Sequence, residues 1–327
     1  MQEGEGGSSK VVLAHPSGAS AEIYLQGAHV TSFKDHKGRE SLFLSSKTQF
    51  ARGASLRGGI PLIFPQFSDS GPLPKHGFLR SSYHWTLERV HPSSEAVFTL
   101  RDSEETRTVW DHPFLCRYTV ALRHDPTLDT AFLDTQLQVT NTSAPSEGEP
   151  GTKAEPEAEE KEAAFTFTAA LHTYYLVSDV SNSHTRVTHL KKEEGEGSHP
   201  QGLEYLDATE GRAKKAEPHG EEIVFQGETD RIYLDTAEEV HIVDELADEV
   251  VVLRKNGFPD AVIWNPWEEK GEKLADLGEG EWRQFLCVEA AVFGSPVTLL
   301  PGETWTASQS IHRRGRHPSS SSSASAL

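Results

Sequence analysis

Alternation of apolar and polar residues with a period of two is the feature that most restricts the fold of this chain. From Phe114 to Leu122 the apolar side chains occupy the even positions, and from Ala131 to Val139 they occupy odd ones. Successive residues of a β-strand point to opposite faces of its sheet, so each run predicts a strand with one buried face. No stretch of similar length repeats with the 3.6-residue period of an amphipathic helix. The sequence therefore predicts a chain that is nearly all β.

Shorter runs of the same kind recur along the chain, and turn residues separate nearly all of them. They read EIYLQGAHVTSF, EAVFTLRD, EEIVFQGETDRIYLDT, EVVVLRKN, DAVIWNPW, RQFLCVEAAVF and TWTASQSIHR. Many short strands with almost no helix predict an all-β fold, a large antiparallel sandwich. A chain of 327 residues could hold two average domains, but no linker interrupts the pattern. We expect one domain over residues 10–315.

Three polar segments interrupt or follow this domain. Residues 143–164, SAPSEGEPGTKAEPEAEEKEAA, are acidic and contain several prolines. Such a segment cannot bury enough apolar area to offset the entropy lost on ordering, so we predict a disordered insertion between two strands. Residues 191–201 are predicted to form a second loop insertion, and residues 316–327 a disordered serine-rich tail.

Charge and composition exclude several classes of function. The chain has 50 acidic against 31 basic residues and a net charge of −19, which argues against binding to nucleic acid or to an anionic membrane. It has no apolar run of about 18 residues that could span a bilayer. The first ten residues lack the apolar core of a signal peptide, and two cysteines are too few for a disulfide framework. We expect a cytoplasmic monomer.

Two residues in predicted strands are candidates for proton transfer. Apolar residues alternate in the strand that begins at Phe165, which places His172 on the opposite face. Glu289 is the only charged residue between Phe285 and Phe293, so the pattern predicts its burial. A buried carboxylate is costly unless it is paired, hydrogen-bonded or used in chemistry. A structural role explains each residue alone equally well, whereas a facing pair would be a general acid and a general base.

The segment RGGIPLIFPQFSDSGPLPKHGFLR, residues 57–80, has an arginine at each end. Between Arg57 and Arg80 lie four glycines and four prolines, which fix the backbone that aims the two side chains. A planar guanidinium binds carboxylate or phosphate with a fork of N–H groups, and a pair of them suits a phosphoryl group. Either arginine alone could equally be a solvated surface residue. In so acidic a chain, anion binding requires a local cationic pocket of this kind.

This segment resembles the signature of the hexose-6-phosphate mutarotases (glucose-6-phosphate 1-epimerases), which are relatives of the aldose 1-epimerases. The resemblance continues in order through GAHVTSF, LHTYY, GLEYLDATEG, VIWNPWEEK and LCVEAA, and covers about residues 10–312. It implies an antiparallel β-supersandwich of the galactose-mutarotase type. It also implies an isomerase that interconverts the α and β anomers of a hexose 6-phosphate, with glucose 6-phosphate as the first candidate.

The resemblance also implies roles for individual residues. His172 looks like the general acid and Glu289 like the general base, while Arg57 and Arg80 resemble the ligands of the substrate phosphate. Ring opening and reclosure transfer only protons, so no metal or organic cofactor is implied. We expect the Glu289 carboxylate to help keep the imidazole of His172 charged near neutral pH, against the effect of burial.

Two further residues are implied as pocket or substrate-binding residues, and a third departs from the family pattern. Asp207 of YLDAT looks like a residue that binds sugar hydroxyls, and His76 of KHGF resembles a pocket histidine. Lys75 stands where the family usually has glutamine. It could strengthen anion binding or point outward, and we include it among the predicted substrate-binding residues. The implied partner is a small-molecule sugar phosphate.

Other functions remain open at this point. A carbohydrate-binding module on the same sandwich could stack sugars on Trp264, Trp267 and Trp282, although aromatic residues in strands are more often core. An aldose 1-epimerase acting on unphosphorylated sugars would share the acid and the base. A glycosidase needs two carboxylates that flank the scissile bond, and only Glu289 stands out. Metal-dependent hydrolysis is disfavoured because the chain has no H-E-x-x-H or C-x-x-C spacing.

Overall fold

The computed structural model describes residues 1–91, 94–126, 130–144, 163–192, 202–217 and 222–316. Within these ranges the strands form three antiparallel sheets, which confirms the predicted all-β class. The described helices are short. The α-helices are Glu104–Val109 and Trp267–Gly271, and the 3-10 helices are Glu5–Gly7, Gln26–Ala28, Leu79–Ser81, Ala208–Glu210 and Glu281–Gln284. None of the described helices is long and apolar enough to cross a membrane.

The strands divide among sheets of four, eight and nine strands. The first sheet has the order β1 (Gln2–Glu3), β2 (Ser9–Ala14), β3 (Ser20–Tyr24) and β4 (His29–Lys34). The second has the order β14 (Ala213–Glu217), β13 (Leu203–Asp207), β16 (Thr229–Tyr233), β19 (Asp260–Asn265), β20 (Phe285–Leu299), β10 (Phe165–Leu171) and β5 (Leu62–Ile63), with β11 (Tyr174–Leu176) also paired to β20. The third has the order β15 (Glu222–Val224), β12 (Thr185–Thr188), β17 (Glu239–Asp244), β18 (Glu249–Asn256), β21 (Thr304–Gly315), β9 (Thr130–Asn141), β8 (Phe114–Asp125), β7 (Glu95–Arg101) and β6 (Thr86–His91).

The apolar residues that alternate in the sequence form the core between the two large sheets. In β8 the even-numbered side chains from Phe114 to Leu122 are all buried, as the pattern predicts. The ring of Phe114, in the nine-stranded sheet, lies 5.7 Å from that of Phe64, which in turn lies 5.1 Å from Phe167 in the eight-stranded sheet. Aromatic side chains thus connect one large sheet to the other.

We propose that the described ranges form the single domain that the sequence predicts. One cluster of buried side chains includes members of all three sheets, such as Ile23, Phe167 and Phe114. The first sheet starts at Gln2, upstream of the predicted boundary at residue 10. The predicted disordered insertion at 143–164, the loop insertion at 191–201 and the tail at 316–327 lie largely outside the described residues.

The side chain of Asn141, at the end of β9, links the described residues on either side of residues 145–162. The amide of Asn141 donates to the carbonyl oxygens of Ala163 and Leu299, at 2.9 and 3.0 Å. Asn141 is fully buried, and its hydrogen bond to Leu299 is shielded from water. A hydrogen bond therefore joins the described residues just before residue 145 to those just after residue 162.

We expect Phe114→Ala to lower the free energy of unfolding by about 3 to 5 kcal/mol, because it removes a buried aromatic ring and leaves a cavity. Chemical denaturation followed by circular dichroism measures the change. Leu246→Ala is the control, since Leu246 is 58% exposed and its truncation should change the stability by less than about 0.5 kcal/mol. Equal losses in the two variants would contradict the assignment of Phe114 to the core.

Candidate active site

The pairing of β20 brings His172 and Glu289 together on one face of the eight-stranded sheet. Leu171 pairs with Ala290, and Tyr174 pairs with Cys287. Counting along both strands places His172 directly across from Glu289, and residues that face each other in an antiparallel pair have their side chains on the same side. The imidazole Nδ1 lies 3.4 Å from the Glu289 Oε1.

Both side chains are buried, and neither is satisfied by hydrogen bonds. His172 is 7% exposed and Glu289 1% exposed. Among the described residues, the His172 Nδ1 and the Glu289 Oε2 have no hydrogen-bond partner. Their separation of 3.4 Å is longer than a normal N–H···O hydrogen bond. Buried polar atoms without partners are rare in native structures and are a frequent mark of functional sites.

The pair lies at a cavity of about 200 Å³. Besides His172 and Glu289, the cavity is lined by Arg57, Phe67, Ser68, Lys75, His76, Arg80, Tyr174, Asp230, Val262, Trp264, Lys270 and Leu274. The lining thus carries four cations against two carboxylates, in a chain with a net charge of −19. Such a local excess of positive charge suits an anionic ligand.

The backbone that follows Arg57 and two neighbouring side chains hold its guanidinium in place. Gly58 and Gly59 follow it with φ angles of 117° and 62°, where a Cβ would collide with backbone carbonyl groups. The guanidinium Nη1 donates to the Tyr174 hydroxyl at 2.9 Å, and Nη2 forms an ion pair with the Asp276 Oδ2 at 3.0 Å. The backbone and these two partners therefore fix the direction of the guanidinium.

Arg80 reaches the same cavity from the 3-10 helix Leu79–Ser81. Its Nη2 donates to the backbone carbonyl of Lys75 at 3.1 Å. Burial, and after it the positive charge of Arg57, lowers the pKa of Arg80. The two guanidinium groups are thus close enough to repel each other. Lys75 is exposed and lines the opening of the cavity.

His76 is buried beside His172 as a neutral imidazole. Burial and the charges of Arg80 and Lys75 lower its pKa to about 3. The His76 Nδ1 accepts from the backbone N–H of Ser68 at 3.2 Å, so the single proton of the neutral ring belongs on Nε2. The two imidazole rings meet edge to face, with centroids 5.5 Å apart. His76 therefore offers an uncharged N–H donor.

Aromatic side chains orient the imidazole of His172. The ring of Tyr174 stacks on it at 4.9 Å and 7°, and Trp264 meets it edge-on at 5.8 Å. Trp267 and Trp282 instead pack against each other, with centroids 5.0 Å apart, and do not line this cavity. Of the three tryptophans considered for sugar stacking, only Trp264 reaches it.

Burial shifts the pKa values of the two candidate catalytic groups in opposite directions. It lowers the pKa of His172 well below its usual value, and the adjacent imidazole of His76 and the positive charges of Arg80 and Arg57 lower it further. Burial raises the pKa of Glu289 well above its usual value, and the nearby Asp230 adds to this effect. The result differs from the expectation that Glu289 keeps the imidazole charged near neutrality. Desolvation and the neighbouring cations outweigh the attraction of a single carboxylate.

The structure does not bring Asp207 to this cavity. Asp207 pairs with Arg231 in β16, one residue out of phase with Asp230 and Ile232, so its side chain lies on the other face of the sheet. There its carboxylate accepts from the backbone N–H of Thr209 at 3.1 Å and pairs with Lys215 at 3.2 Å. The six other residues predicted for the site all line the cavity.

Asp230 is the acidic residue that faces the cavity from this strand, and the sequence reasoning missed it. It pairs with Trp264, which also lines the cavity. Burial raises the pKa of Asp230, while Lys270 and Lys75 oppose that rise. The sequence could have indicated this position, because Ile232 lies two residues further along the same strand and is buried, and residues two apart in a strand share a face. The described residues contain no group of three or more His, Cys, Asp or Glu side chains that could hold a metal ion.

Comparison with known proteins gives a consistent result. The sequence model of the aldose 1-epimerase family matches residues 9–145 and 147–312. A protein of Cenchrus ciliaris named "Putative glucose-6-phosphate 1-epimerase" is 38% identical over 307 residues, 91% of this chain and 83% of that protein. A protein of Escherichia coli K12 with the same name is 29% identical over 286 residues, 86% of this chain and 82% of the relative.

Solved structures confirm the fold. The crystal structure of a "putative mutarotase (YeaD)" from Salmonella typhimurium has a TM-score of 0.76 at 24% identity and covers 94% of this chain and 90% of its own. A galactose mutarotase-like protein from Lactobacillus casei has a TM-score of 0.69 at 15% identity, over 94% and 100% of the two chains. The predicted β-supersandwich of the galactose-mutarotase type is therefore confirmed.

We expect Glu289→Gln to stabilise the fold increasingly as pH rises. A carboxyl group whose pKa is raised on folding contributes stability below its unfolded pKa of about 4.5, and this contribution is lost as pH rises toward the folded pKa. Glutamine does not ionise and avoids that loss. Thermal melts between pH 5 and 9 should show a growing advantage of the variant over the parent protein.

Glu279→Gln is the matched control, because it makes the same charge change at an exposed position. Its melting temperature should differ from that of the parent by a small amount that does not grow with pH. A Glu289→Gln advantage that is constant or shrinks with pH would mean that Glu289 is not a buried carboxyl group of raised pKa.

Proposed function

The chain belongs to the aldose 1-epimerase family, and from this premise we propose that it interconverts the α and β anomers of a hexose 6-phosphate, with glucose 6-phosphate as the first candidate. The observation that carries the proposal is the pair of His172 and Glu289, buried 3.4 Å apart beside a cavity whose wall holds Arg57 and Arg80. The names of the relatives from Cenchrus ciliaris and Escherichia coli support the choice of a phosphorylated sugar.

Ring opening requires two proton transfers at neighbouring oxygens of the sugar. Glu289 as carboxylate takes the proton of the anomeric hydroxyl, while His172 as imidazolium protonates the ring oxygen. The C1–O5 bond breaks and C1 becomes the carbon of a free aldehyde. Rotation about the C1–C2 bond exposes the other face of the aldehyde, and reclosure with the roles reversed gives the other anomer.

This cycle needs one proton shared between two groups. Before ring opening the proton is on His172 and Glu289 is ionised. After ring opening His172 is neutral, because it has given its proton to the ring oxygen, and Glu289 carries the proton of the anomeric hydroxyl. The pKa shifts of the two groups favour the second arrangement, with a neutral carboxylic acid and a neutral imidazole. They therefore favour the open-chain stage relative to the same reaction in water, where the charged pair would be the more stable form.

Binding of the substrate phosphate is expected to raise the lowered pKa of His172 again. Arg57 and Arg80 lower the pKa of His172 through their positive charges. A phosphate dianion bound between the guanidinium groups offsets those charges, so it raises the pKa of His172 and makes the imidazolium form more accessible. Lys75, at the opening of the cavity, adds a further attraction for the anion. The proposal thus links phosphate recognition to acid catalysis.

The proposal also includes a cytoplasmic location and a monomeric state. Cys116 and Cys287 are both free thiols, which suits a reducing compartment. Size-exclusion chromatography with light scattering tests the monomeric state.

We expect Glu289→Gln and His172→Asn each to lower kcat by about 10²- to 10⁴-fold, because each removes one of the two proton-transfer groups. Turnover is measured by coupling the formation of one anomer of glucose 6-phosphate to an anomer-specific dehydrogenase, with the spontaneous rate subtracted. The double variant should be scarcely slower than the poorer single variant, because the two groups act in one exchange. Asp207→Asn is the control on the opposite sheet face, and we expect it to retain kcat. Near-parental turnover of either single variant would refute the acid–base assignment.

We expect Arg57→Ala and Arg80→Ala to raise the KM for glucose 6-phosphate, because each removes charge-assisted hydrogen bonds to the phosphate. A loss of roughly 1.5 to 3 kcal/mol corresponds to an increase of about 10- to 150-fold. Steady-state kinetics with glucose 6-phosphate and with glucose separate the two substrates, and the effect on glucose should be much smaller. Arg89→Ala, at an exposed position in β6, is the control. Equal effects on both sugars would mean that the arginines have a structural role only.

A further inference from the structure

We propose that Asp276 limits the affinity of the site for phosphate by partly neutralising Arg57. This inference rests on the proposed function, in which Arg57 and Arg80 bind the phosphate of the substrate. Asp276 is not itself a ligand in this proposal. It is a residue that sets how tightly a phosphorylated sugar is held, and so determines specificity between phosphorylated and free sugars.

The evidence is an ion pair on the group that is proposed to receive the phosphate. The Asp276 Oδ2 lies 3.0 Å from the Arg57 Nη2, and the Asp276 side chain is 37% exposed. The charge of Asp276 also reaches Arg80, whose pKa it raises against the effects of burial and of Arg57. One carboxylate therefore acts on both guanidinium groups of the proposed phosphate site.

The segment that carries Asp276 is fixed at its next residues. Leu277 is buried in the core. The backbone N–H of Gly278 donates to the Glu281 carboxylate at 2.7 Å and approaches the Ser45 hydroxyl at 3.3 Å. Because these contacts hold the backbone beside Arg57, the carboxylate stays near the guanidinium when a ligand arrives.

Arg57 retains enough donors to bind a phosphate without releasing Asp276. A guanidinium has five N–H groups, of which the Tyr174 hydroxyl and the Asp276 carboxylate each use one. The Nε of Arg57 is buried and has no hydrogen-bond partner among the described residues. The phosphate and Asp276 are therefore expected to share one guanidinium, and two anions on one cation repel each other.

Such a restraint suits an enzyme that must release its product. Binding a substrate and its transition state equally tightly lowers KM without raising kcat. The two anomers carry the same phosphate, so tight phosphate binding would retain the product as firmly as the substrate. A carboxylate beside Arg57 weakens both, while the sugar still gains its orientation from the two arginines.

The test compares Asp276→Asn with Glu279→Gln, an exposed position in the same segment that makes the same change in net charge. Asparagine keeps an acceptor for Arg57 and removes the negative charge. We expect Asp276→Asn to lower the Kd for inorganic phosphate, measured by isothermal titration calorimetry, by about 3- to 10-fold at low salt. The KM for glucose 6-phosphate should fall by a similar factor, the KM for glucose should not change, and Glu279→Gln should match the parent protein.

Asp276→Ala removes the acceptor as well as the charge, so it should tighten phosphate binding less than Asp276→Asn does. An unchanged or higher Kd for inorganic phosphate in Asp276→Asn would overturn the proposal and make Asp276 a positioning residue for Arg57. The titration with inorganic phosphate does not depend on turnover. Tighter phosphate binding in a protein that is inactive on all hexose phosphates would therefore refute the proposed function and support this inference.

Discussion

Burial of Glu289 is the constraint on which the rest of the site depends. A carboxylate removed from water needs compensation, and the imidazole of His172 lies 3.4 Å from it, too far for a good hydrogen bond. The surrounding cations, the neutral His76 and the stacked Tyr174 all act on that one pair. Removing water disfavours the charged form of each group, so it favours the state in which Glu289 has gained a proton and His172 has lost one.

The alternation in the sequence predicts the fold and the burial of Glu289 for a common reason, whereas the roles of Glu289 and His172 as base and acid are implied by the resemblance to the mutarotases. A period of two fixes which side chains share a face, and a single charge within an apolar run then has to be buried. This argument leads from the alternation in β8 and β9 to the sandwich, and from the isolated Glu289 to its position inside it. The shape of the segment between Arg57 and Arg80 is also predictable from the sequence, because proline restricts the backbone locally and glycine permits tight turns.

Other parts of the site depend on contacts between distant segments. Asp207 and Asp230 both belong to strands of the eight-stranded sheet, and only the pairing register shows that they lie on opposite faces. The approach of Asp276 to Arg57 joins segments more than 200 residues apart, and no local pattern predicts it. The low pKa of His172 likewise needs the position of every neighbouring cation, which the sequence order does not supply.

The hydrogen bonds from Asn141 have a consequence for how this chain can vary. The bond to the Ala163 carbonyl closes the base of the connection between β9 and β10, and it does not depend on the number of residues between 144 and 163. Doubling the length of a closed loop costs only about 0.6 kcal/mol. The connection is therefore a place where evolution, or an engineer, can insert new sequence such as an affinity tag or a binding peptide. The strand that leads to His172 would keep its register.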